Sequence, residues 1–258
     1  SKMVGNPEFM KAGYDAQVKS VVLLKNKGNA LPIAKTKTVY IPKRFVPATR
    51  DWFGNMTPEK LEYPVNMELV KKYFTVTDDP SKADLALVFV KGPAGGVGYD
   101  KADREKSNGY VPITLQYGPY TAENARAESI AAGDPVIDPT ITNRSYKGKT
   151  IAASNTADLK SILDTKVAMG SKPVIVSMAL SNPAVVAEFE KEVNSIIVSF
   201  GVQDQALLDI LSGVSEPSGL LPVQMPANMK TVEEQKEDVP HDMECYVDSE
   251  GNKYDFAF

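Results

Sequence analysis

Two runs of the chain are apolar at nearly every position, Leu85–Val90 and Pro173–Met178. A run without polar alternation predicts a strand that is buried on both faces, as in a sheet covered by helices on both sides. Three further strands are predicted at Thr38–Ile41, around Phe74–Val76 and at Ser195–Phe200, where β-branched and aromatic residues cluster. The pattern therefore indicates a central sheet with a buried middle.

The segments between these strands carry apolar residues at helical spacing. The predicted helices are an opening helix from Pro7, capped by Asn6 and running through Leu24, then Asn66–Tyr73, Asp158–Met169 with Asn155 or Thr156 as its cap, Pro183–Val193 and Gln203–Leu211. Alternating strands and helices with short connections predict the α/β class, with a doubly wound, mostly parallel sheet sandwiched by helices.

One stretch interrupts this alternation. Residues from about 116 to 150 are rich in Gly, Ala, Asn, Thr and Pro and have no clear period, which predicts a long insertion. We expect residues 1–28 to form a leading helix or linker and residues 29–258 to form the sandwich domain. The tail from Thr231 is acidic and polar until Tyr254–Phe258, where aromatic residues predict a last strand or an anchored end.

Composition narrows the classes of partner. The 258 residues are 43% hydrophobic and 24% charged, the net charge is −4, and no block of Lys or Arg occurs. These values predict a soluble domain and argue against nucleic acid or an anionic membrane as its partner. One His and one Cys supply neither a zinc site nor an internal disulfide, so no metal site is predicted. Residues 1–10 do not resemble a signal peptide, and no apolar run approaches a membrane span.

A glycine loop, Gly92–Gly98, follows the buried strand Leu85–Val90. No register of this loop gives G-x-G-x-x-G, and Pro93 removes one of the backbone donors that a phosphate cradle would use. A nucleotide-binding, flavodoxin-like function therefore depends on analogy of fold alone.

Two phrases near the ends of the chain carry a resemblance to a known family. The first, Ser20–Ile33, reads SVVLLKNKGNALPI: an apolar helix end, a Gly-Asn break and a Leu-Pro exit. The second, Phe200–Pro226, reads as a strand end, an amphipathic helix stopped at Gly213, and a Pro-Ser-Gly turn into another strand. In this order they resemble the C-terminal α/β domain of family 3 glycoside hydrolases, the β-glucosidase and β-xylosidase group. The resemblance extends from about Pro7 to Phe258.

The resemblance implies hydrolysis of a terminal β-linked glucose or related sugar, with retention of configuration and without a cofactor. In that family the domain follows a (β/α)8 barrel that carries an aspartate nucleophile, and no barrel-sized segment precedes the first phrase here. We therefore expect the chain to be inactive alone, with the barrel domain of its parent enzyme and a carbohydrate substrate as its partners. The loops Lys91–Asp103, Ser181–Pro183 and Gly201–Asp204 would border the pocket. A bacterial enzyme of the periplasm or a secreted one is implied.

The family's general acid/base lies in a Ser-Gly-Glu-Gly-Tyr segment, which the frame Gly95–Tyr99 resembles. Here Val97 stands at the glutamate position, and valine has no proton to give. The acid/base candidates are therefore Glu105, which follows an Asp-Arg pair, and Glu128, which lies among apolar residues that would raise its pKa by desolvation.

Three further residues are candidates for substrate binding. Asp103 and Arg104 resemble the family's Asp-Arg pair, although a local ion pair that orders the loop explains them equally well. Tyr99 could stack on a sugar face or simply anchor the loop. Val97 and the missing barrel leave an alternative open, a non-catalytic carbohydrate-binding or interaction module of the same fold.

Overall fold

The computed structural model of the protein describes residues 3–50, 53–96, 98–127, 144–236 and 239–258. The helices are α1 (Pro7–Lys19), α2 (Met67–Val70), α3 (Lys101–Arg104), α4 (Thr156–Met169), α5 (Asp204–Leu211) and α6 (Met229–Glu234). The strands are β1 (Val22–Asn26), β2 (Thr38–Tyr40), β3 (Arg44–Val46), β4 (Thr49–Arg50), β5 (Met56–Thr57), β6 (Lys60–Glu62), β7 (Thr75–Thr77), β8 (Leu85–Lys91), β9 (Tyr120–Thr121), β10 (Thr150–Ile151), β11 (Val174–Ala179) and β12 (Ser195–Ser199).

The central sheet has six strands in the order β1-β12-β11-β8-β2-β7. All neighbours pair in parallel except β1, which pairs antiparallel with β12. The five parallel strands therefore follow the order 2-1-3-4-5, which is that of doubly wound flavodoxin-like sheets, with its switch point between β2 and β8. The predicted fold class, a doubly wound and mostly parallel α/β sheet, is confirmed.

Strand β8 shows why the sheet has two cores. Its first six residues are buried, and successive side chains point to opposite faces. Ala86, Val88 and Val90 pack with α4 and the C-terminal segment, whereas Leu87 and Phe89 pack with α2 and α5. The continuous apolar run in the sequence reflects this double burial.

The opening helix is shorter than predicted. It ends at Lys19, and Val22–Asn26 forms β1 instead of continuing the helix through Leu24. Val22 and Leu24 are only 1% and 2% exposed, because β1 covers the edge of the sheet beside β12. The sheet therefore takes in residues on both sides of position 28.

Two other predictions in the second half were wrong. Residues 183–193 form two short 3₁₀ turns, Val186–Glu188 and Glu190–Glu192, because Phe189 between them has a φ of −146°, which no helix accommodates. The described residues that follow the Pro-Ser-Gly turn form no strand. Instead the Leu221 and Met225 amides donate to the carbonyls of Phe258 and Tyr254, which anchors the end of the chain.

A β-hairpin follows β2, and the sequence analysis did not predict it. Strand β3 pairs with β6, and β4 pairs with β5 farther along the same ribbon. The two ends of the predicted insertion also meet, because β9 pairs with β10. Both ribbons lie beyond the carboxyl ends of the parallel strands, at one edge of the central sheet.

Candidate functional site at the carboxyl edge of the sheet

A cleft of about 280 Å³ opens where β8, β11 and β12 end. The base of the hairpin and the start of α5 close its other sides, and its polar lining residues are Arg44, Glu62, Tyr63, Lys91, Ser177, Ser199 and Asp204. A second cleft of about 440 Å³ shares Arg44, Lys91 and Gly201 with the first. Residues of all three predicted border loops line one cleft or both, as expected for the carboxyl ends of parallel strands.

A buried ion pair forms the floor between these clefts. Arg44 Nε and Nη2 donate to the two carboxylate oxygens of Asp158 at 2.7 and 2.8 Å. The arginine side chain is 11% exposed and that of Asp158 only 1%. Because Asp158 lies in the first turn of α4, the pair joins the hairpin to that helix with bidentate geometry.

Asn155 fixes the end of β8 to the start of α4. Its Nδ2 donates to the carbonyl of Gly92 at 3.0 Å and to Asp158 Oδ2 at 2.9 Å, and its Oδ1 accepts from the Ala94 amide at 2.8 Å. The sequence analysis predicted Asn155 as a possible helix cap, and it does occupy that position. However, its side chain makes no capping bond to α4 and serves the strand end instead.

Tyr117 secures the same strand end from the other side. Its hydroxyl donates to the Lys91 carbonyl at 2.5 Å, and the ring is fully buried. Burial, followed by the nearby carboxylates of Asp158 and Glu188, raises the pKa of Tyr117 well above its ordinary value. Glu188 in turn accepts from the amides of Tyr117 and Gly118 at 2.6 and 2.8 Å. The tyrosine therefore remains a neutral donor.

The structure places the predicted substrate-binding residues together in one loop, between Gly98 and Tyr110. Tyr99 is 39% exposed and packs edge-on against Tyr110 with ring centroids 5.7 Å apart. Arg104 is exposed at the end of α3, and the exposed Glu105 follows it directly. Within the described part of the chain, none of these residues lines either cleft.

Asp103 has an internal partner. Its carboxylate forms an ion pair with Lys149, from the far end of the insertion, and accepts from the Gly109 amide at 3.0 Å. The hydrogen bond from Lys149 and the bond from Gly109 lower the pKa of Asp103, against a smaller effect of burial. The sequence analysis considered a local ion pair for Asp103 and Arg104, whereas the structure pairs Asp103 with Lys149, 46 residues later.

Two predicted positions, Val97 and Glu128, lie outside the described residues. The sequence analysis missed Arg44 entirely, because its segment carried no predicted element. It used Asp158 only as a helix start. The sequence around Asp158 gives no signal of a buried partner, because an Asp in the first turn of a helix is ordinary.

Two kinds of feature are absent from the described ranges, a metal-binding group of side chains and a membrane-spanning helix. Those ranges contain no group of three or more His, Cys, Asp and Glu side chains that could hold a metal ion. No helix among them has both the length and the apolar character needed to cross a membrane.

Comparisons with known proteins agree with the fold and the sequence phrases. Residues 21–258 match the model of the glycosyl hydrolase family 3 C-terminal domain. The chain is 26% identical over 257 residues to a probable beta-glucosidase C of Aspergillus flavus, covering 99% of this chain and 31% of that protein. It is 21% identical to a periplasmic beta-glucosidase/beta-xylosidase of Dickeya chrysanthemi, covering 93% of this chain and 27% of that protein.

A solved structure shares the fold. The chain superposes on the beta-glucosidase of Listeria innocua, solved with isofagomine, at a TM-score of 0.54 and 16% identity, covering 100% of this chain and 34% of that one. The chain thus spans about a third or less of the length of these proteins. The predicted bacterial source finds no support here, since the relative with the higher identity is fungal. The chain belongs to the C-terminal domain family of the family 3 glycosyl hydrolases.

Proposed function

We propose that this chain is the C-terminal part of a retaining β-glycosidase, specifically a β-glucosidase, that hydrolyses terminal β-linked sugars. The observation that carries the proposal is the match to the C-terminal domain model over residues 21–258, in a chain that spans 31% of a probable β-glucosidase. The sandwich domain, residues 29–258, would form one wall of the substrate pocket, and its carboxyl-edge loops would face the sugar.

A preceding barrel domain would supply the nucleophile. Retaining glycosidases use two carboxyl groups about 5 Å apart, one as nucleophile and one as acid/base. If the aspartate nucleophile lies on the barrel, this chain holds at most half of that pair. The isolated chain should then be inactive, and its partners would be the barrel and the carbohydrate.

The acid/base would come from the loops beside β8. Glu105 is exposed and follows α3, so a substrate could reach it, and Glu128 is the second candidate. Tyr99 offers a partly exposed ring for stacking on a sugar face. Arg104 would contact sugar hydroxyls. Asp103 would contribute mainly by ordering the loop, because Lys149 already pairs with it.

The test compares this chain with the longer protein that contains it. We expect aryl β-glucosides to be hydrolysed by the longer protein and left intact by residues 1–258 alone, and nuclear magnetic resonance should show the β-anomer as the first product. Turnover by the isolated chain, or an α-anomer first, would contradict the proposal.

Glutamine variants of the longer protein identify the acid/base. Removing a general acid/base lowers the rate by roughly 10²–10⁴-fold, so Glu105→Gln or Glu128→Gln should show such a loss. Glu216→Gln is the matched control, since Glu216 is an exposed glutamate in the turn after α5. Unchanged hydrolysis in both test variants would remove both candidates.

A second candidate is a non-catalytic carbohydrate-binding or interaction module. The valine at position 97, where the family frame places its glutamate, favours it. Under this proposal the longer protein would bind β-glucosides without turning them over. The same hydrolysis assay therefore separates the two candidates.

We also propose a periplasmic or secreted location. The Dickeya chrysanthemi relative is named as periplasmic. Cell fractionation of the native host tests this, and recovery of the protein with the cytoplasm would contradict it.

A further inference from the structure

Two buried serine hydroxyls open onto the 280 Å³ cleft without a partner. Ser177 on β11 is 3% exposed and Ser199 on β12 is 2% exposed, and both line the cleft. They share one face of the sheet, because Ala179 pairs with Ser199 and lies two residues after Ser177. Among the residues that the structure describes, neither hydroxyl has a hydrogen-bond partner. Both serines line the open space of the cleft, so their hydroxyls are available to a ligand.

Arg44 adds two more donors to the same space. Its Nε and Nη2 are used by Asp158, which leaves the N–H groups of Nη1. Within the described part of the chain these groups have no partner, and the residue lines the cleft. The bidentate ion pair holds the guanidinium in place, so Arg44 presents its remaining donors beside the cleft from a fixed position.

The charges around the cleft favour a neutral ligand. The charge of Arg44 is already balanced by Asp158. Lys91 lines the cleft together with two carboxylates, Glu62 and Asp204, and Asp204 Oδ2 accepts from the Asn66 amide at 2.8 Å. An inorganic anion would meet three carboxylates, Glu62, Asp158 and Asp204, for two cations and gain little. A hydroxyl-bearing molecule could accept from Arg44 and donate to Asp204.

The size and the apolar lining point to a single ring. A volume of about 280 Å³ lies just below the range for ligand pockets, roughly 300–1,000 Å³, which favours a small ligand. Phe89, Val202 and Leu207 line the cleft beside the polar groups. A pyranose has the required mixture, with hydroxyls at its rim and C–H groups on its face.

We infer that this cleft is a binding site for one neutral sugar ring, held by the Ser177 and Ser199 hydroxyls and by Arg44. The inference rests on the proposed function, because that function makes a sugar the available hydroxyl-bearing ligand. It adds a specific place for the sugar, at the carboxyl ends of β11 and β12.

The test is a titration of the 258-residue chain with methyl β-D-glucopyranoside, followed by amide chemical shifts. Saturable shifts around residues 177 and 199, with a dissociation constant in the millimolar range, are expected. One lost hydrogen bond corresponds to a weakening of about 2- to 12-fold, so Ser177→Ala and Ser199→Ala should each bind about fivefold more weakly.

Ser195→Ala is the matched control. Ser195 is a buried serine on the same strand as Ser199 but at the opposite end, where it donates to Asn26 Oδ1 at 3.0 Å. Its replacement should leave sugar affinity unchanged. An equal loss in this control would show that the effect is structural and would overturn the assignment.

Two other outcomes overturn the inference, and they come from the wild-type chain, so they hold even if a variant fails to fold. One is the absence of saturable shifts at the cleft. The other is tighter binding of inorganic phosphate than of the sugar at the same residues. Failure of the proposed function has a different readout: the longer protein would not hydrolyse β-glucosides although the isolated chain binds sugar in the cleft.

Discussion

The ion pair between Arg44 and Asp158 can be broken cleanly by Arg44→Met. Methionine retains an unbranched apolar stem in the hairpin but removes the guanidinium. Asp158, 1% exposed, would keep only the Asn155 amide at 2.9 Å and the Lys91 amide at 3.3 Å as partners. A buried carboxylate would then lack its counter-charge.

The size of the effect follows from that geometry. Removing one partner of a buried pair costs about 3–5 kcal/mol. The two remaining hydrogen bonds and the 11% exposure of Arg44, which lets water approach, place this case near the lower value. A loss of about 3 kcal/mol in a protein of this size lowers the melting temperature by about 6–12 °C.

Urea unfolding followed by circular dichroism measures the loss. The double variant, Arg44→Met with Asp158→Asn, replaces the unpaired carboxylate with a neutral amide. Its loss of unfolding free energy should therefore be smaller than the sum of the losses of the two single variants. Lys160→Met is the control, because Lys160 forms an exposed ion pair with Asp164 on the same helix and such pairs contribute little. If Arg44→Met lowers the free energy of unfolding by less than about 1 kcal/mol, or if the two single losses simply add in the double variant, Asp158 is not left as an unpaired buried charge.

Three further tests concern other regions. Burial raises the pKa of Glu190, but hydrogen bonds from a lysine, a serine and a tyrosine outweigh it and lower the pKa. The ionised Glu190 therefore stabilises the fold above the ordinary glutamate pKa, and this stabilisation is lost as the pH falls through the lowered pKa. The melting temperature should fall more steeply in acid for the wild type than for Glu190→Gln. Parallel curves of melting temperature against pH would contradict this. Lys149→Met should raise the pKa of Asp103, measured by carboxyl chemical shift, and an unchanged value would show that the ion pair is not its cause. Gly95→Ala would put a Cβ 2.7 Å from a threonine carbonyl oxygen and should cost about 1–3 kcal/mol. Gly13→Ala, in open space on α1, should raise the free energy of unfolding by about 0.5–1 kcal/mol. Thermal unfolding of the two variants measures both effects.

The middle of the sheet was predictable from sequence because burial on both faces leaves a continuous apolar run. Strands β8 and β11 match their predictions to within one residue at each end. Strand β1 was missed for the opposite reason. A few apolar residues directly after a helix fit either another helical turn or a strand, and pairing with β12, much later in the chain, decides between them.

The polar framework of the site had no local signal. Arg44 and Asp158 are 114 residues apart in sequence, and each reads alone as an ordinary surface charge. Asn155 was placed at the correct position, since Asn before a helix is a frequent cap. Its side chain binds Gly92 and Ala94 at the end of β8. The position of that strand end in space cannot be read from residues 155–158 alone.

The hydrogen bonds at the carboxyl edge divide it into two parts. Arg44, Asp158 and Asn155 join the hairpin, α4 and the end of β8 through the Arg44–Asp158 ion pair and the bond from Asn155 to the Gly92 carbonyl. The loop between Gly98 and Tyr110 depends instead on Asp103, whose side chain is 23% exposed and whose partner Lys149 is 19% exposed. A wall that must orient a sugar benefits from groups held in place before binding. The cleft satisfies that condition within this chain, whereas the loop bearing Asp103 depends on an ion pair that water can reach. For this reason substitutions at Lys149 should alter the loop between Gly98 and Tyr110 without altering the cleft, and amide shifts of the two regions should respond independently.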